Sequence, residues 1–389
     1  MTDKLAAAFR AARAEFPHTK DLVYLNSASY GPYSTRVQNA LVACIGDRVR
    51  SDEDSTSGIF ATREILRKEY GALIGAKPSQ IGIGLNTSYG LNVAAFGLPL
   101  RKGDEILVSD IEFPAVIYAF KAAAQTRGLK LRFVPSRERR FDIDALRRTI
   151  TKRSKVLAVS WVQFFNGYKN DLTALAEICR EHGIYFVVDG IQGAGMEPID
   201  VRKLGVDIFS AGCQKWLLSP QGCGFFYVAD DIRDTLQLPF ASWLGVEWNQ
   251  KFGDLFKYNL EFMGTTARFE LGYYVELNLV GMRQAVSMFR ELGVRNIQRH
   301  THGLVDRLAA YIRGNRHYRI TSSMEPKHRS AIFTFTCDNY RDLHRELYRN
   351  KIVCVHREGS IRISVHLFNS EEDIDKLIRI LDRFAESAQ

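Results

Sequence analysis

The chain has 389 residues, of which 46% are hydrophobic, and its formal net charge is +9. This length exceeds one ordinary hydrophobic core and predicts a globular protein with two unequal domains. The basic residues are spread along the chain and form no aromatic-interleaved run, which argues against nucleic-acid binding and favours solubility or attraction of anionic ligands. We see neither a signal-peptide stretch nor an apolar run of membrane-spanning length, so we expect a cytoplasmic protein without a membrane partner.

The six cysteines are isolated from one another in the sequence. They form no Cys-x-x-Cys pair and have no metal-ligand spacing. This usage is typical of reduced thiols in a large intracellular protein, so neither a metal site nor a disulfide framework is expected.

Strand-like and helix-like segments alternate along the first part of the chain. After an N-terminal arm, residues 22–26 predict a short strand, and Gly31-Pro32 predicts a turn. Apolar strands then alternate with amphipathic helices, which predicts an α/β fold whose mostly parallel sheet is flanked by helices and binds ligands beyond its strand carboxyl ends. The strands are predicted at 80–84, 105–109, 131–134, 156–162, 184–188, 207–210 and 224–228, and the helices at 65–74, 88–96, 116–126, 143–150 and 172–182.

The last third of the chain has a different pattern. An irregular aromatic region at 243–272 precedes two long amphipathic helices, at 273–292 and 294–313. Short strands follow at 318–321, 330–336, 352–355 and 361–365, before a helix capped near Ser370. We therefore predict an N-terminal arm (1–20), a large domain (21–270) and a smaller C-terminal α+β domain (271–389).

A carboxylate and an amine follow two consecutive predicted strands. Asp189 ends the run Ile184–Val188, and Lys215 follows the strand that begins at Asp207. A pyridine nitrogen needs an anionic partner to stay protonated, and an aldehyde cofactor needs a lysine for its Schiff base, so this pair suits pyridoxal phosphate. Taken singly, such an aspartate is more often a cap or turn residue and such a lysine is usually solvated.

Thr87 and Ser88 lie between a predicted strand and a predicted helix. Their hydroxyls, the free N–H groups of the first turn and the positive end of the helix dipole would together suit a phosphate group. The alternative is that one of these hydroxyls only caps the helix. The glycine patterns of dinucleotide-binding and nucleotide-binding loops are missing, which argues against a nucleotide-dependent enzyme.

Phe113 lies at the next strand-to-helix junction, in Asp110-Ile111-Glu112-Phe113-Pro114-Ala115. The helix core does not require an aromatic side chain there, and its ring could stack on a planar cofactor. The alternative is a loop aromatic that is buried against a neighbouring helix.

Taken in order, these motifs resemble a known family. Asn86-Thr87-Ser88, Glu112-Phe113-Pro114-Ala115, the run 162–167, Asp189-Gly190-Ile191-Gln192, Gln214-Lys215-Trp216 and the late run 362–369 are similar to the class V aminotransferase family of fold type I pyridoxal-phosphate enzymes. The resemblance covers nearly the whole chain. It is strongest to the branch of isopenicillin N epimerases and carbon–sulfur lyases, with cysteine desulfurases and kynureninases as more distant relatives.

The resemblance implies a role for each of these residues, with pyridoxal 5'-phosphate as the cofactor. Lys215 would form the Schiff base, Asp189 would hold the pyridinium nitrogen, and Gln192 would bind the ring hydroxyl. Phe113 would stack on the ring, where many relatives place a histidine. The phosphate would be bound by Thr87, Ser88 and Gln214, the last in a position where many relatives have histidine.

The resemblance also implies a homodimer and an amino-acid substrate. Thr265 would reach the phosphate held by the partner subunit. Arg362 would bind the substrate α-carboxylate through its bidentate fork, with Asn26 as a second substrate-binding residue. Taken alone, an arginine in an edge strand is usually solvated.

The reaction itself is left open by the sequence. A carbanion at the α-carbon leads to elimination, epimerisation or transamination. The loop that carries the persulfide-forming cysteine of the desulfurases has no counterpart here, and Cys354 lies in a strand-like run as a predicted core thiol. We therefore expect a carbon–sulfur lyase or an epimerase, with an aminotransferase, a desulfurase-like enzyme and a non-catalytic regulatory protein as alternatives.

Overall fold

The structure is a computed structural model that describes residues 3–50, 55–237, 240–247, 256, 258, 260–272 and 275–387. Its α-helices are α1 Asp3–Ala14, α2 Thr35–Arg50, α3 Ser55–Ile74, α4 Thr87–Gly97, α5 Pro114–Arg127, α6 Ile143–Thr149, α7 Leu172–His182, α8 Val201–Leu204, α9 Asp230–Arg233, α10 Glu276–Leu292, α11 Val294–Gly314, α12 Tyr340–Arg349 and α13 Glu371–Ser387. Short 3-10 helices occur at Pro17–Lys20, Pro78–Gln80 and Thr266–Phe269.

A seven-stranded sheet forms the centre of the protein. Its strand order is β2-β8-β7-β6-β5-β3-β4, and pairing is parallel from β7 through β4, while β8 is antiparallel to both of its neighbours. The strands of the structure are β1 Val23–Tyr24, β2 Ile81–Gly84, β3 Glu105–Ser109, β4 Lys130–Val134, β5 Ser154–Ser160, β6 Tyr185–Asp189, β7 Ile208–Gly212, β8 Gly224–Val228, β9 Arg319–Ile320, β10 Ile332–Thr336, β11 Ile352–Val353, β12 Val355–Arg357 and β13 Ser360–Ser364.

The central strands are buried on both faces. Every residue of β3, β7 and β8 is buried, as expected for strands that are covered by helices on both sides. The α/β fold predicted from the alternating pattern is confirmed, including the mostly parallel sheet. The carboxyl ends of β6 and β7 lie side by side, because Asp189 pairs with Ser210 in the parallel register.

A second, antiparallel sheet of four strands lies in the C-terminal third, in the order β12-β13-β10-β9. The N-terminal segment joins this part of the chain, because β1 pairs in parallel with β11 and Asn26 forms an isolated bridge with Ser364. Residues 23–24 thus lie beside β11, and Asn26 lies beside the end of β13. The boundaries proposed for the arm and the two domains stay a prediction.

The pattern located most elements to within a few residues. β3, α7 and β8 have the predicted bounds, whereas α3 begins ten residues before the predicted start at 65, and α1, α2, α8, α9 and α12 were not predicted. The single strand expected at 352–355 is interrupted at Cys354 into β11 and β12. The helix predicted from 273 begins at Glu276, and residues 273 and 274 lie outside the described residues.

Candidate active site

Lys215 and Asp189 meet at the carboxyl ends of neighbouring strands. Asp189 is the last residue of β6, and Lys215 follows β7 by three residues. Lys215 Nζ lies 5.4 Å from the centroid of the Phe113 ring. The site therefore combines an amine, an anion and an aromatic ring at the edge of the sheet where such folds bind ligands.

Burial changes the proton affinity of both charged groups. Asp189 is 2% exposed, and burial raises the pKa of its carboxyl to about 6, although the Ile191 N–H donates to Oδ1 at 3.0 Å. Burial lowers the pKa of Lys215 to about 8, although the charge of Asp189 opposes this change, and the charges of Arg362 and Arg357 add to it. A substantial fraction of the Lys215 amine is therefore neutral near physiological pH.

The N-terminus of α4 adds a set of donors to this site. Asn86 is the N-cap, because its Oδ1 accepts the Tyr89 N–H at 3.0 Å. The alternative that Thr87 or Ser88 only caps the helix is therefore wrong. Thr87 Oγ1 accepts the Gly212 N–H at 2.8 Å, which holds the helix start against the end of β7 and leaves the hydroxyl proton free to donate.

The Gln214 side chain lies beside Gly212 and Thr87. Its Oε1 is buried and has no hydrogen-bond partner among the described residues. A Cβ on Gly212 would overlap this oxygen and would lie 3.2 Å from Thr87 Oγ1. Because Oε1 can only accept, the Nε2 end of this amide is the part that could donate to the phosphate of the predicted cofactor, beside the N–H groups at the start of α4.

Gln192 is buried behind the lysine. Its Nε2 donates to the Ala28 carbonyl at 3.1 Å, and its Oε1 accepts the indole N–H of Trp216 at 2.6 Å. The side chain is therefore fixed by the residue after Lys215 and by the N-terminal segment.

Phe113 occupies the N-cap position of α5 and is 39% exposed. Its ring meets that of Phe164 edge-on, with 5.1 Å between the centroids. The alternative of a loop aromatic buried against a neighbouring helix is therefore wrong. The exposed ring beside Lys215 fits a stacking partner for a planar cofactor.

Arg362 lies in β13, between β12 and β10, so the expectation of a solvated arginine in an edge strand is wrong. It is 2% exposed, and its Nη1 donates to the Phe164 carbonyl at 2.6 Å. Its Nη2 donates to Ser29 Oγ at 2.7 Å, and Ser29 in turn donates to Asn26 Oδ1 at 2.7 Å. The structure thus joins Arg362 and Asn26 through a serine that the sequence did not single out.

The sequence interpretation also gave no role to Glu112. This carboxylate accepts the Ser160 N–H at 3.1 Å, the Ser160 hydroxyl and Gln163 Nε2 at 3.0 Å. It is 8% exposed, and burial raises its pKa to about 7. The only sign of this role in the sequence was the position of Glu112 directly before Phe113 in the Glu-Phe-Pro-Ala motif. The donors around it are explained by burial, because a buried carboxylate needs several hydrogen-bond donors.

Thr265 is not part of this cluster within one chain. It precedes the 3-10 helix Thr266–Phe269 and lines a cavity of 240 Å³ together with Phe60 and Met263. Its expected contact with the phosphate of a partner subunit stays a prediction.

Two further findings concern the described part of the chain. No group of three or more His, Cys, Asp or Glu residues there could hold a metal ion. No described helix is long and apolar enough to cross a membrane.

Comparisons with known proteins agree with this geometry. A probable cysteine desulfurase of Methanothermobacter thermautotrophicus is 25% identical, over 96% of this chain and 97% of its own. An isopenicillin N epimerase of Amycolatopsis lactamdurans is 28% identical, over 61% of this chain and 62% of its own. The solved complex between the cystine C-S lyase C-DES and its reaction product cysteine persulfide shares the fold, with a TM-score of 0.86, 22% identity and coverage of 94% of this chain and 99% of its own.

The family model described as aminotransferase class-V matches residues 34–377, which is most of the chain. This match confirms the family predicted from the sequence, and with it an enzyme that uses pyridoxal phosphate. The buried Asp189, the amine of Lys215, the exposed ring of Phe113 and the start of α4 fit that cofactor. The chain therefore belongs to the class-V aminotransferase family.

Proposed function

We propose that this protein is a carbon–sulfur lyase that cleaves the Cβ–S bond of an amino acid by β-elimination. The observation that carries the proposal is the environment of Lys215. It is a buried amine with a pKa of about 8, whereas Cys213 and Cys354 are buried thiols whose pKa burial raises to about 12.

Residues of this chain would bind the ring nitrogen, one ring face and the phosphate of the cofactor. Asp189 would keep a proton on the ring nitrogen, and Phe113 would cover one face of the ring. Thr87 and Ser88, together with Gln214, would donate to the phosphate at the start of α4. When bound, pyridoxal phosphate supplies an electron sink for the bond that is broken at the substrate α-carbon.

Arg362 would bind the α-carboxylate of the substrate. Its guanidinium is oriented by the Phe164 carbonyl and by Ser29 Oγ, and its buried Nε has no partner among the described residues. Burial and the charge of Arg357 lower its pKa to about 10, so it still carries its charge at neutral pH. A desolvated guanidinium held in this way favours an anionic, planar group.

Lys215 would be the proton carrier. As a neutral amine it would take the α-proton of the substrate, because a pKa of about 8 leaves about a tenth of it neutral at pH 7 and about half at pH 8. Phe113 stands where many relatives have histidine, and its side chain cannot carry a proton. Elimination needs one base at the α-carbon, which Lys215 would supply, and a leaving group that the substrate carries on its β-carbon.

The cysteines support elimination over desulfuration through a protein persulfide. Cys354 is buried, and burial raises its pKa to about 12. Cys213 is also buried, with its pKa raised by burial to about 12. A thiolate nucleophile is disfavoured at both positions, because a buried thiol keeps its proton.

Epimerisation is the second candidate, and the 28% identity to an isopenicillin N epimerase favours it. Lys215 would remove the α-proton from one face, and inversion would need a second group to deliver a proton to the opposite face. Epimerisation would use the same carboxylate clamp, but it requires a proton donor beyond Lys215.

We further propose a homodimer in which Thr265 completes the phosphate site of the partner subunit. One face of α2 supports this arrangement, because Val42, Ile45 and Val49 are 62%, 52% and 80% exposed at nearly helical spacing. Mixing inactive Lys215→Ala and Thr265→Ala subunits tests the proposal. Hybrid dimers should regain one active site, whereas a mixture as inactive as its parents would contradict a shared site.

The first experiment tests the shared chemistry. Borohydride reduction of the holoenzyme, followed by peptide mass analysis, should find the cofactor attached to Lys215. An unmodified Lys215 in a protein with bound cofactor would refute the scheme for every candidate reaction.

The second experiment separates the reactions. The holoenzyme is incubated with L-amino acids and cysteine conjugates in deuterated water, and pyruvate, ammonia and α-deuterium are measured. Pyruvate with equal ammonia supports the lyase, while α-exchange with inversion and without pyruvate supports the epimerase. Cys354→Ser is the control and should retain the lyase rate, since loss of activity would point to desulfuration.

A further inference from the structure

Both ends of the Gln192 amide are held by groups of opposite hydrogen-bonding character. Oε1 accepts from the indole N–H of Trp216 at 2.6 Å, and Nε2 donates to the Ala28 carbonyl at 3.1 Å. An indole N–H can only donate, and a backbone carbonyl can only accept. Gln192 is 4% exposed, so water does not substitute freely for either partner. The two contacts therefore allow one orientation of the amide, with one N–H of Nε2 left to donate.

Trp216 is held in turn by His366. The Leu367 N–H donates to His366 Nδ1 at 2.8 Å, so the ring proton lies on Nε2, which donates to the Trp216 carbonyl at 2.8 Å. The imidazole also stacks on the indole, with 5.6 Å between centroids. Its exposed fraction is 0%, and burial lowers its pKa to about 3. The imidazole thus stays neutral, and this contact does not change across the working pH range.

We propose that Trp216, clamped by His366, is a positioning residue that makes Gln192 a hydrogen-bond donor toward the cofactor's ring oxygen. The inference rests on the proposed role of Gln192 in binding that oxygen. The oxygen is ionised while the nitrogen of Lys215 that joins the cofactor is protonated, and an ionised oxygen needs a donor. If the amide turned over, its Oε1 would face a like charge.

Trp216→Phe tests the inference, because it removes the indole N–H and keeps an aromatic ring against His366. The readout is the pH titration of the visible absorbance of the cofactor bound to Lys215. Loss of a donor leaves more charge on the ring oxygen, which then holds the neighbouring proton more tightly. We expect the titration midpoint to rise by about one pKa unit.

Two variants serve as references. Gln192→Leu removes the donor directly and should raise the midpoint at least as far. Trp161→Phe loses the same volume at another buried tryptophan, whose ring packs edge-on against Phe209 and against Gly193 beside Gln192. It loosens packing next to Gln192 but keeps the Trp216 indole N–H, so the midpoint should stay unchanged. A shift in Gln192→Leu with no shift in Trp216→Phe would overturn the role of Trp216.

One measurement does not require the tryptophan variant to fold. Hydrogen exchange of the Trp216 indole N–H should be slower in the wild type than in Gln192→Leu, and equal rates would overturn the proposal. Failure of the proposed function can be distinguished from failure of the role of Trp216, because it would appear as a missing borohydride adduct on Lys215 in the wild type. A normal adduct with an unshifted Trp216→Phe titration would overturn the positioning role alone.

Discussion

Reaction of the cofactor-free protein with a small aldehyde should show a midpoint near pH 8 at Lys215. Only the neutral amine attacks an aldehyde, and burial lowers the pKa of this lysine from an ordinary 10.5 to about 8. This difference in pKa corresponds to about 3 kcal/mol against the charged form of the amine. At pH 8, about half of the Lys215 amines are neutral, against about 0.3% for an ordinary lysine.

Two substitutions should move this midpoint in opposite directions. Asp189→Asn removes an anion that raises the Lys215 pKa, so the midpoint should fall below 8. Arg362→Gln removes a cation that lowers it, so the midpoint should rise. The assay is reductive methylation with formaldehyde and cyanoborohydride across pH 6 to 10.5, with peptide mass analysis of Lys215, and it avoids the cofactor ring. A wild-type midpoint near 10.5, or shifts of both variants in the same direction, would refute the electrostatic account.

Three further predictions follow from the contacts. Arg362→Lys keeps the charge but loses the planar fork, so KM for the amino acid should rise about 10- to 100-fold with a smaller change in kcat, as steady-state kinetics would show. Thr87→Val leaves the buried Gly212 N–H unpaired and should cost about 1–3 kcal/mol of unfolding free energy in urea, whereas Thr87→Ser should cost less. Burial raises the pKa of Glu112 from 4.5 to about 7, so the folded chain keeps a proton that the unfolded chain has lost, and wild-type stability falls as pH rises through this window. Glu112→Gln has no ionisable group at this position and so does not lose stability in this way. Its free energy of unfolding relative to wild type should improve by up to ~3 kcal/mol between pH 4.5 and 7.5. Equal pH slopes of stability for the two proteins would contradict the assignment.

Local patterns in the sequence predicted the large sheet well. Strands such as β3 and β8 are mostly apolar runs between turn signals. The helix α7 has a capping residue at each end, Asp171 at its N-terminus and Gly183 at its C-terminus. The helix α2 was missed because only Val37 is buried along its 16 residues, so no apolar stripe faces a core. The short strands of the small sheet were placed only approximately, because strands of two or three residues carry little periodicity.

Lys215, Asp189 and Phe113 were identifiable because each follows a strand at a place that parallel sheets use for ligands. Sequence position alone is enough for such residues, since the strands carry them to one edge. Arg362 was identified only through family resemblance, and its burial in an interior strand depends on pairing with β10 and β12.

The sequence by itself determined the alternation of strands and helices, the residues at the strand ends, and through them the family and the cofactor. The tertiary structure alone decided the charge states and orientations of those residues. The pKa of Lys215 depends on burial and on three charges contributed by other segments, those of Asp189, Arg362 and Arg357. The donor orientation of Gln192 depends on Trp216 and Ala28, which are 24 and 164 residues away along the chain. Proton affinity and hydrogen-bond direction are properties of three-dimensional surroundings, and no local pattern encodes them.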